Sequence, residues 1–247
     1  MVLLLGAGIV AGAMNAAVGS GTLVTYPLLL AYGLPPVTAN ATNTAGIAPG
    51  NVAGAWANRR ELSGRWVTIA GLAAVVGVGA VAGATLVLVL PSSVFEALVP
   101  WLILLACALV LVQPRISRAL RERRIDPTSL PRRALVPSLL LLGIYAGYFG
   151  AAQGIVLIAA LTTMFDSDLQ RSNAVKNVLQ GVSNLAAAIV FALAGAISWI
   201  PAVAVGSGAV VGGLVGAPVA RRLPDPAMRA LIVAIGVIAA VLSFRAL

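Results

Sequence analysis

Apolar stretches long enough to cross a lipid bilayer recur along the whole of this sequence, at 1–32, 38–57, 66–90, 94–112, 134–165, 172–195, 198–220 and 227–245. Runs of roughly 18 or more apolar residues mark membrane spans, because about 20 residues of helix cover the hydrocarbon core. Hydrophobic residues make up 60% of the 247 and charged residues 9%. Soluble domains carry about 25% charged residues, and a chain with so few could not cover its apolar surface in water. The expected fold class is an all-α integral membrane protein.

The net charge of +9 is explained by topology rather than by nucleic acid. Seven of the sixteen basic residues fall in one stretch, as Arg115, Arg118, Arg121, Arg123, Arg124, Arg132 and Arg133, and most others flank apolar runs. Cytoplasmic loops of membrane proteins collect Lys and Arg in this way. The one cysteine, Cys107, cannot form an internal disulfide and reads as a small apolar residue. There is no histidine, which removes the commonest metal ligand and proton shuttle. A cleaved secretory signal is not expected, since the apolar start lacks a basic segment before it.

The basic stretch divides the chain into 1–112, a linker 113–133, and 134–247. Sliding residues 8–57 by 135 positions pairs Gly8-Ile9, Ala11-Gly12, Ala16-Ala17, Gly19, Leu34, Ala39, Gly46, Ala53 and Ala57 with identical residues of the second half. After a two-residue shift, Trp66, Gly79, Gly83-Ala84 and Leu90-Pro91 meet Trp199, Gly212, Gly216-Ala217 and Leu223-Pro224. Internal duplication of this kind is common in transporters.

The first segment of each half is too long for one crossing. A helix over 1–32 would reach about 48 Å against about 30 Å of hydrocarbon. Glycines interrupt both, at Gly19-Ser20-Gly21-Thr22 and at Gly150-Ala151-Ala152-Gln153-Gly154, and glycine permits sharp turns. If each long segment crosses once, the basic residues divide 11 against 5 between the two sides. If each is a re-entrant hairpin, 15 lie on one side and Arg245 alone on the other. The positive-inside rule selects the second arrangement. Each half is then a broken helical hairpin followed by three transmembrane helices, and the two repeats are inverted. The basic linker is expected in the cytoplasm and both termini outside.

No catalytic constellation is present, and no metal or cofactor site is expected. Ser93-Val94-Phe95-Glu96 reads as a helix-start box, and Asp166 and Asp168 as turn residues. No carboxylate falls deep in a span, which disfavours a proton-coupled cation carrier. The polar residues that enter the membrane are neutral or cationic. Asn15, Gly19, Ser20, Gly21 and Thr22 belong to the first tip, and Asn40, Thr42 and Asn43 to the helix after it. Gln153 and Gly154 belong to the second tip, followed by Lys176, Asn177 and Gln180. Lys176 is the sole lysine. Near a helix start, where the macrodipole is positive, a cation needs an anion to offset it; the competing reading is a side chain snorkelling to the surface. Amides freed at glycine-broken tips suit anions.

In order and spacing, Gly19-Ser20-Gly21 with Pro27, Gly33-Leu34-Pro35-Pro36, Ala39-Asn40-Ala41-Thr42-Asn43, Gly154 and Ala174-Val175-Lys176-Asn177 resemble the TauE/SafE sulfite-exporter family of membrane transporters. The resemblance covers nearly the whole chain and implies transport of sulfur-containing anions such as sulfite, thiosulfate or organosulfonates, often outward. The second tip departs from the pattern: Thr162 stands where the first half has Pro27. The expected protein is a multi-pass transporter of the cell membrane with a small anionic substrate. The bilayer is its surroundings, and self-association into a homo-oligomer is compatible with the sequence. Release would require the two halves to rock. A passive anion channel or a non-catalytic membrane subunit are the alternatives.

Overall fold

The computed structural model describes residues 1–17, 19–122, 134–166, 168–220 and 225–245. Among these the regular structure is helical throughout: α1 (Val2–Ala17), α2 (Thr22–Ala31), α3 (Pro36–Ala57), a 3-10 turn (Arg59–Leu62), α4 (Trp66–Val89), α5 (Ser92–Glu122), α6 (Leu135–Tyr148), α7 (Gln153–Met164), α8 (Leu169–Leu193), α9 (Trp199–Ala220) and α10 (Asp225–Arg245). Three stretches are long and apolar enough to cross a bilayer, Trp66–Val89, Ser92–Ile116 and Leu169–Leu193. The 22-residue α3 is of similar length but carries Asn and Thr side chains, and it buries them.

Both long first segments break where the glycines fall, and both fold back. The Tyr32 hydroxyl comes within 4.0 Å of the Met1 sulfur, while Gly21 N–H donates to Asn15 Oδ1 at 2.7 Å. The end of α2 therefore lies beside the start of α1. In the second half, the Tyr145 hydroxyl donates to the Ala151 carbonyl, and Leu135 and Leu139 of α6 share a core cluster with Leu157 and Leu161 of α7. At 1.5 Å per residue the four arms measure about 24, 15, 21 and 18 Å, each short of about 30 Å of hydrocarbon.

Helices that the sequence repeat aligns take reciprocal partners. The most extensive pairings are α1 with α9 and α6 with α4, and the pairing of α3 with α9 is matched by that of α8 with α4. Each hairpin thus packs on a helix of the other half. Glycine makes this possible. A Cβ added at Gly208 or Gly212 of α9 would lie 2.1 or 2.0 Å from a backbone oxygen of α1, and one at Gly83 of α4 would lie 2.0 Å from the Ile144 oxygen of α6. Lipid gives helices little hydrophobic reason to associate, so close backbone approach through small residues has to supply the attraction. The result is two tight bundles, α1–α2–α3–α9 and α4–α6–α7–α8, meeting mainly along α3 and α8.

The loops segregate by end. Asp166, after α7, pairs with Arg65 at the start of α4 and lies 3.9 Å from Arg171. Leu62 packs in one cluster with Leu135 and Leu161. The turn before α4, the start of α6 and the turn before α8 therefore share one end of the molecule. Met1, Tyr32 and the turn before α9, whose Ser198 N–H donates to Thr42 Oγ1 at 3.0 Å, lie toward the other. The linker expected over 113–133 begins as helix, since α5 runs on to Glu122. Apolarity ends near 112 because the helix leaves the hydrocarbon there, not because it stops. Residues 123–133, and the Leu223-Pro224 landmark, lie outside the described residues.

The segregation makes a labelling prediction. With Cys107 replaced by Ser, Arg60→Cys and Ala194→Cys should react with a membrane-impermeant thiol reagent from opposite sides of the membrane. Reaction of both from one side would refute the hairpin arrangement.

Candidate functional site

The two hairpin tips meet. Gly154 N–H donates to the Gly19 carbonyl at 3.2 Å, and these are the residues that the 135-position repeat aligns. Gly19 has φ +86, and a Cβ there would lie 2.3 Å from Gly154 Cα. Only glycine combines that conformation with that approach. The second tip holds Gly150 at φ 69 and, less usually, Ala152 at φ 57, a left-handed conformation that costs a residue with a Cβ about 1 kcal/mol.

Glycine was expected to free tip amides for an anion. The structure instead uses the amides of the key glycines: Gly19 N–H bonds Met14 O at 2.9 Å, Gly21 N–H bonds Asn15 Oδ1, and Gly154 N–H bonds Gly19 O. Backbone that leaves a helix inside a membrane has to find such partners.

Lys176 is fully buried, so it does not snorkel. It stands about 10 Å along α8 from its start, and its Nζ donates to the Asn15 carbonyl at 2.9 Å. Beside it Asn173 Nδ2 donates to the Ala16 carbonyl at 3.3 Å. Both carbonyls belong to the last turn of α1, where a helix leaves acceptors unpaired and its dipole is negative. The ammonium is therefore held by the C-terminal end of a helix from the other half. Among the described residues no carboxylate pairs with it. An ammonium carries three donors, and the one bond to Asn15 leaves capacity for a ligand.

Around Lys176 the seam is lined with buried amides. Asn15, Gln153, Asn177, Gln180, Asn51 and Asn184 are each at most 3% exposed, and each has an amide atom without a partner. A side chain on Gly19 would approach Gln180 Oε1 at 3.1 Å, and one on Gly54 would approach Asn177 Nδ2 at 3.7 Å, which sets these amides beside the tip and α3. Gln153 Nε2 donates to Ser183 Oγ at 3.4 Å. A buried polar group without a partner costs about 1–3 kcal/mol. A run of them along one seam is tolerable where a polar solute or water pairs with them.

The other residues singled out by sequence are buried too but already engaged. Asn43 accepts from Thr25 Oγ1 and donates to Thr22 Oγ1 at 3.3 Å, stapling α2 to α3. Thr42 receives the Ser198 amide just ahead of α9. Asn40 Nδ2 donates to the Tyr148 carbonyl at the end of α6 at 3.0 Å, leaving its Oδ1 free. Ser20 is buried within the first tip. Thr25, Ser183 and Gly54 join the constellation without having been named from sequence. Thr25 could have been found one turn after Thr22, but Ser183 and Gly54 carry no local signal.

A cationic, amide-lined seam inside an apolar helical shell equips a membrane protein to handle a polar solute. The chain belongs to the Sulfite exporter TauE/SafE family, whose model matches residues 4–243. It is similar to a probable membrane transporter protein of Haemophilus influenzae, at 28% identity over 92% of this chain and 87% of that one. It is also similar to the probable membrane transporter protein YfcA of Escherichia coli K12, at 30% identity over 86% of this chain and 76% of that one. A probable membrane transporter protein ORF9 of Sinorhizobium sp. is 26% identical over 95% and 88% of the two chains. No solved structure matches the chain.

Gly19→Ala should lower the thermal unfolding temperature in detergent sharply, losing about 3 kcal/mol from backbone overlap and left-handed strain together. Gly54→Ala, whose Cβ would find its nearest neighbour at 3.5 Å, should leave stability near wild type. Equal effects would refute the tip contact as a structural requirement.

Proposed function

We propose that this protein exports a small sulfur-containing anion, such as sulfite, thiosulfate or an organosulfonate, by alternating access. The observation that carries the reading is Lys176, fully buried beside unpartnered amides at the seam where the two tips meet. The ammonium offers charge, and Asn15, Gln153, Asn177 and Gln180 offer hydrogen bonds to replace part of the anion's hydration shell. Sulfur chemistry comes from the family description, not from the seam.

The orientation follows from the basic residues. Arg59, Arg60, Arg65 and Arg171 gather at one end with the start of α6, and the positive-inside rule assigns that end to the cytoplasm. Each half then makes one hairpin and three crossings, an odd number, so the halves are inverted and the termini lie outside. The packing also changes which bodies should move. The interlocked glycines bind each hairpin to a helix of the other half, so the rocking bodies are the bundles α1–α2–α3–α9 and α4–α6–α7–α8 rather than the sequence halves. The seam between them is the polar one.

Two measurements test this. In liposomes, purified protein should move sulfite, thiosulfate or a sulfonate in preference to chloride, with saturation and with counterflow of labelled substrate. Lys176→Ala should reduce the flux at least about tenfold, as expected for loss of one charge-assisted contact. Absence of sulfur-oxyanion flux, or a Lys176→Ala protein with wild-type flux, would refute the reading, and flux without counterflow would indicate a channel. With Cys107 replaced by Ser, a Val52→Cys, Gly181→Cys pair spans α3 and α8, where a Cβ added at Gly181 would lie 3.6 Å from Val52 Cγ2. Bridging that pair should stop transport reversibly, and unchanged flux in the bridged protein would exclude motion along this seam.

A further inference from the structure

The arm α2, with α5 and α10, encloses a groove of about 670 Å³. Its walls are aliphatic, including Val24, Leu28, Val99, Ile235 and Leu242. Tyr26, Glu96 and Ser243 bring polar groups to it. Tyr26 is buried edge-on against Phe149, with ring centroids 5.1 Å apart, and its hydroxyl has no partner. Glu96 lies half-buried in the same lining.

Glu96 is not the end of a helix-start box. Val94 N–H already bonds Pro91 O at 2.9 Å and α5 begins at Ser92. Ser93 is therefore inside the first turn, and Glu96 lies one turn further in. Asp166 and Asp168 pair with arginines; Glu96 makes no ion pair among the described residues.

We infer that this groove binds one membrane lipid whose headgroup carries an ammonium. The hydrocarbon lies along α2, α5 and α10, and the ammonium meets Glu96, with the Tyr26 hydroxyl donating to an oxygen of the lipid. The groove runs from Ile235 to Ser243 along α10, about 12 Å, close to one leaflet's share of a 30 Å core. Pro36, Ala31 and Ser243, at or near helix ends, line it, which sets Glu96 near headgroup depth. Ile238 and Leu242 are 59% and 58% exposed, so the groove faces the bilayer, where lipid is the most concentrated neighbour. A carboxylate with no ion pair among the described residues, set in an aliphatic groove, attracts a cationic headgroup and repels an anionic one. The same sign keeps the transported anion away, so this site is separate from the Lys176 seam.

Native mass spectrometry of the delipidated protein, titrated with phosphatidylethanolamine, phosphatidylglycerol and phosphatidylcholine of identical acyl chains, tests the inference. Phosphatidylethanolamine should bind about tenfold more tightly than phosphatidylglycerol, the worth of one charge-assisted hydrogen bond, with phosphatidylcholine between them. Glu96→Gln should bring the three near parity, and Val99→Trp, or the milder Ala239→Leu, should weaken all of them by filling the groove. Circular dichroism confirms that each variant keeps its helices. Equal or tighter phosphatidylglycerol binding, or a headgroup preference that survives Glu96→Gln, would overturn it. So would lipid binding unchanged in a folded groove-filling variant, or a dimer that such a variant abolishes. The result is independent of whether the protein carries anions.

Discussion

A hydrocarbon interior offers a broken helix no partner for its freed backbone groups, and the bond from Gly154 N–H to the Gly19 carbonyl is how this fold meets that constraint twice over. Each tip resolves part of the other's deficit. The contact demands glycine, because a side chain on Gly19 would overlap the facing backbone. It also fixes where everything else lies. Bringing the tips together sets the end of α1 against α8, which is why the Asn15 and Ala16 carbonyls meet Lys176 and Asn173. A buried ammonium at the negative end of a helix is a reasonable ground state.

Two kinds of interface follow from the same small-residue vocabulary. Between α1 and α9, and between α4 and α6, glycines let backbones approach until no side chain fits between them. Between α3 and α8 a Cβ added at Gly181 would stand 3.6–3.8 Å from Val52 and Asn51, ordinary contact, and buried amides line that seam. Tight apolar seams lock and a looser polar seam can slide or open. The bundles therefore cut across the sequence halves.

Much of this was legible in the sequence. The apolar runs located most helices to within a few residues, α5, which runs on to Glu122, being the exception, since burying about 20 residues in lipid leaves a compositional mark that soluble helices lack. The glycine breaks fell where predicted. The 135-residue offset joined Gly19 to Gly154 on paper before it did so in space. The polar residues chosen as site candidates are all buried. Less legible was what each one does. Asn43 and Thr42 look in sequence like Asn177, yet they spend their hydrogen bonds on Thr22, Thr25 and the Ser198 amide. Glu96 read as part of a helix-start box and became the lining of a groove, because the helix begins at Ser92, ahead of the Val94 start that a Ser93 cap implies.

By itself, then, the sequence determined the solvent, the helices and the places where they break, because those depend on local composition and on the cost of backbone in lipid. It also supplied a cation with no assigned partner. Only the tertiary structure decided that the partner is the C-terminal end of α1, that the amides of Gly19, Gly21 and Gly154 are engaged within the protein, and that the bundles exchange helices between halves. Those outcomes depend on which surfaces approach most closely. A glycine reads the same in any register until a second backbone arrives against it.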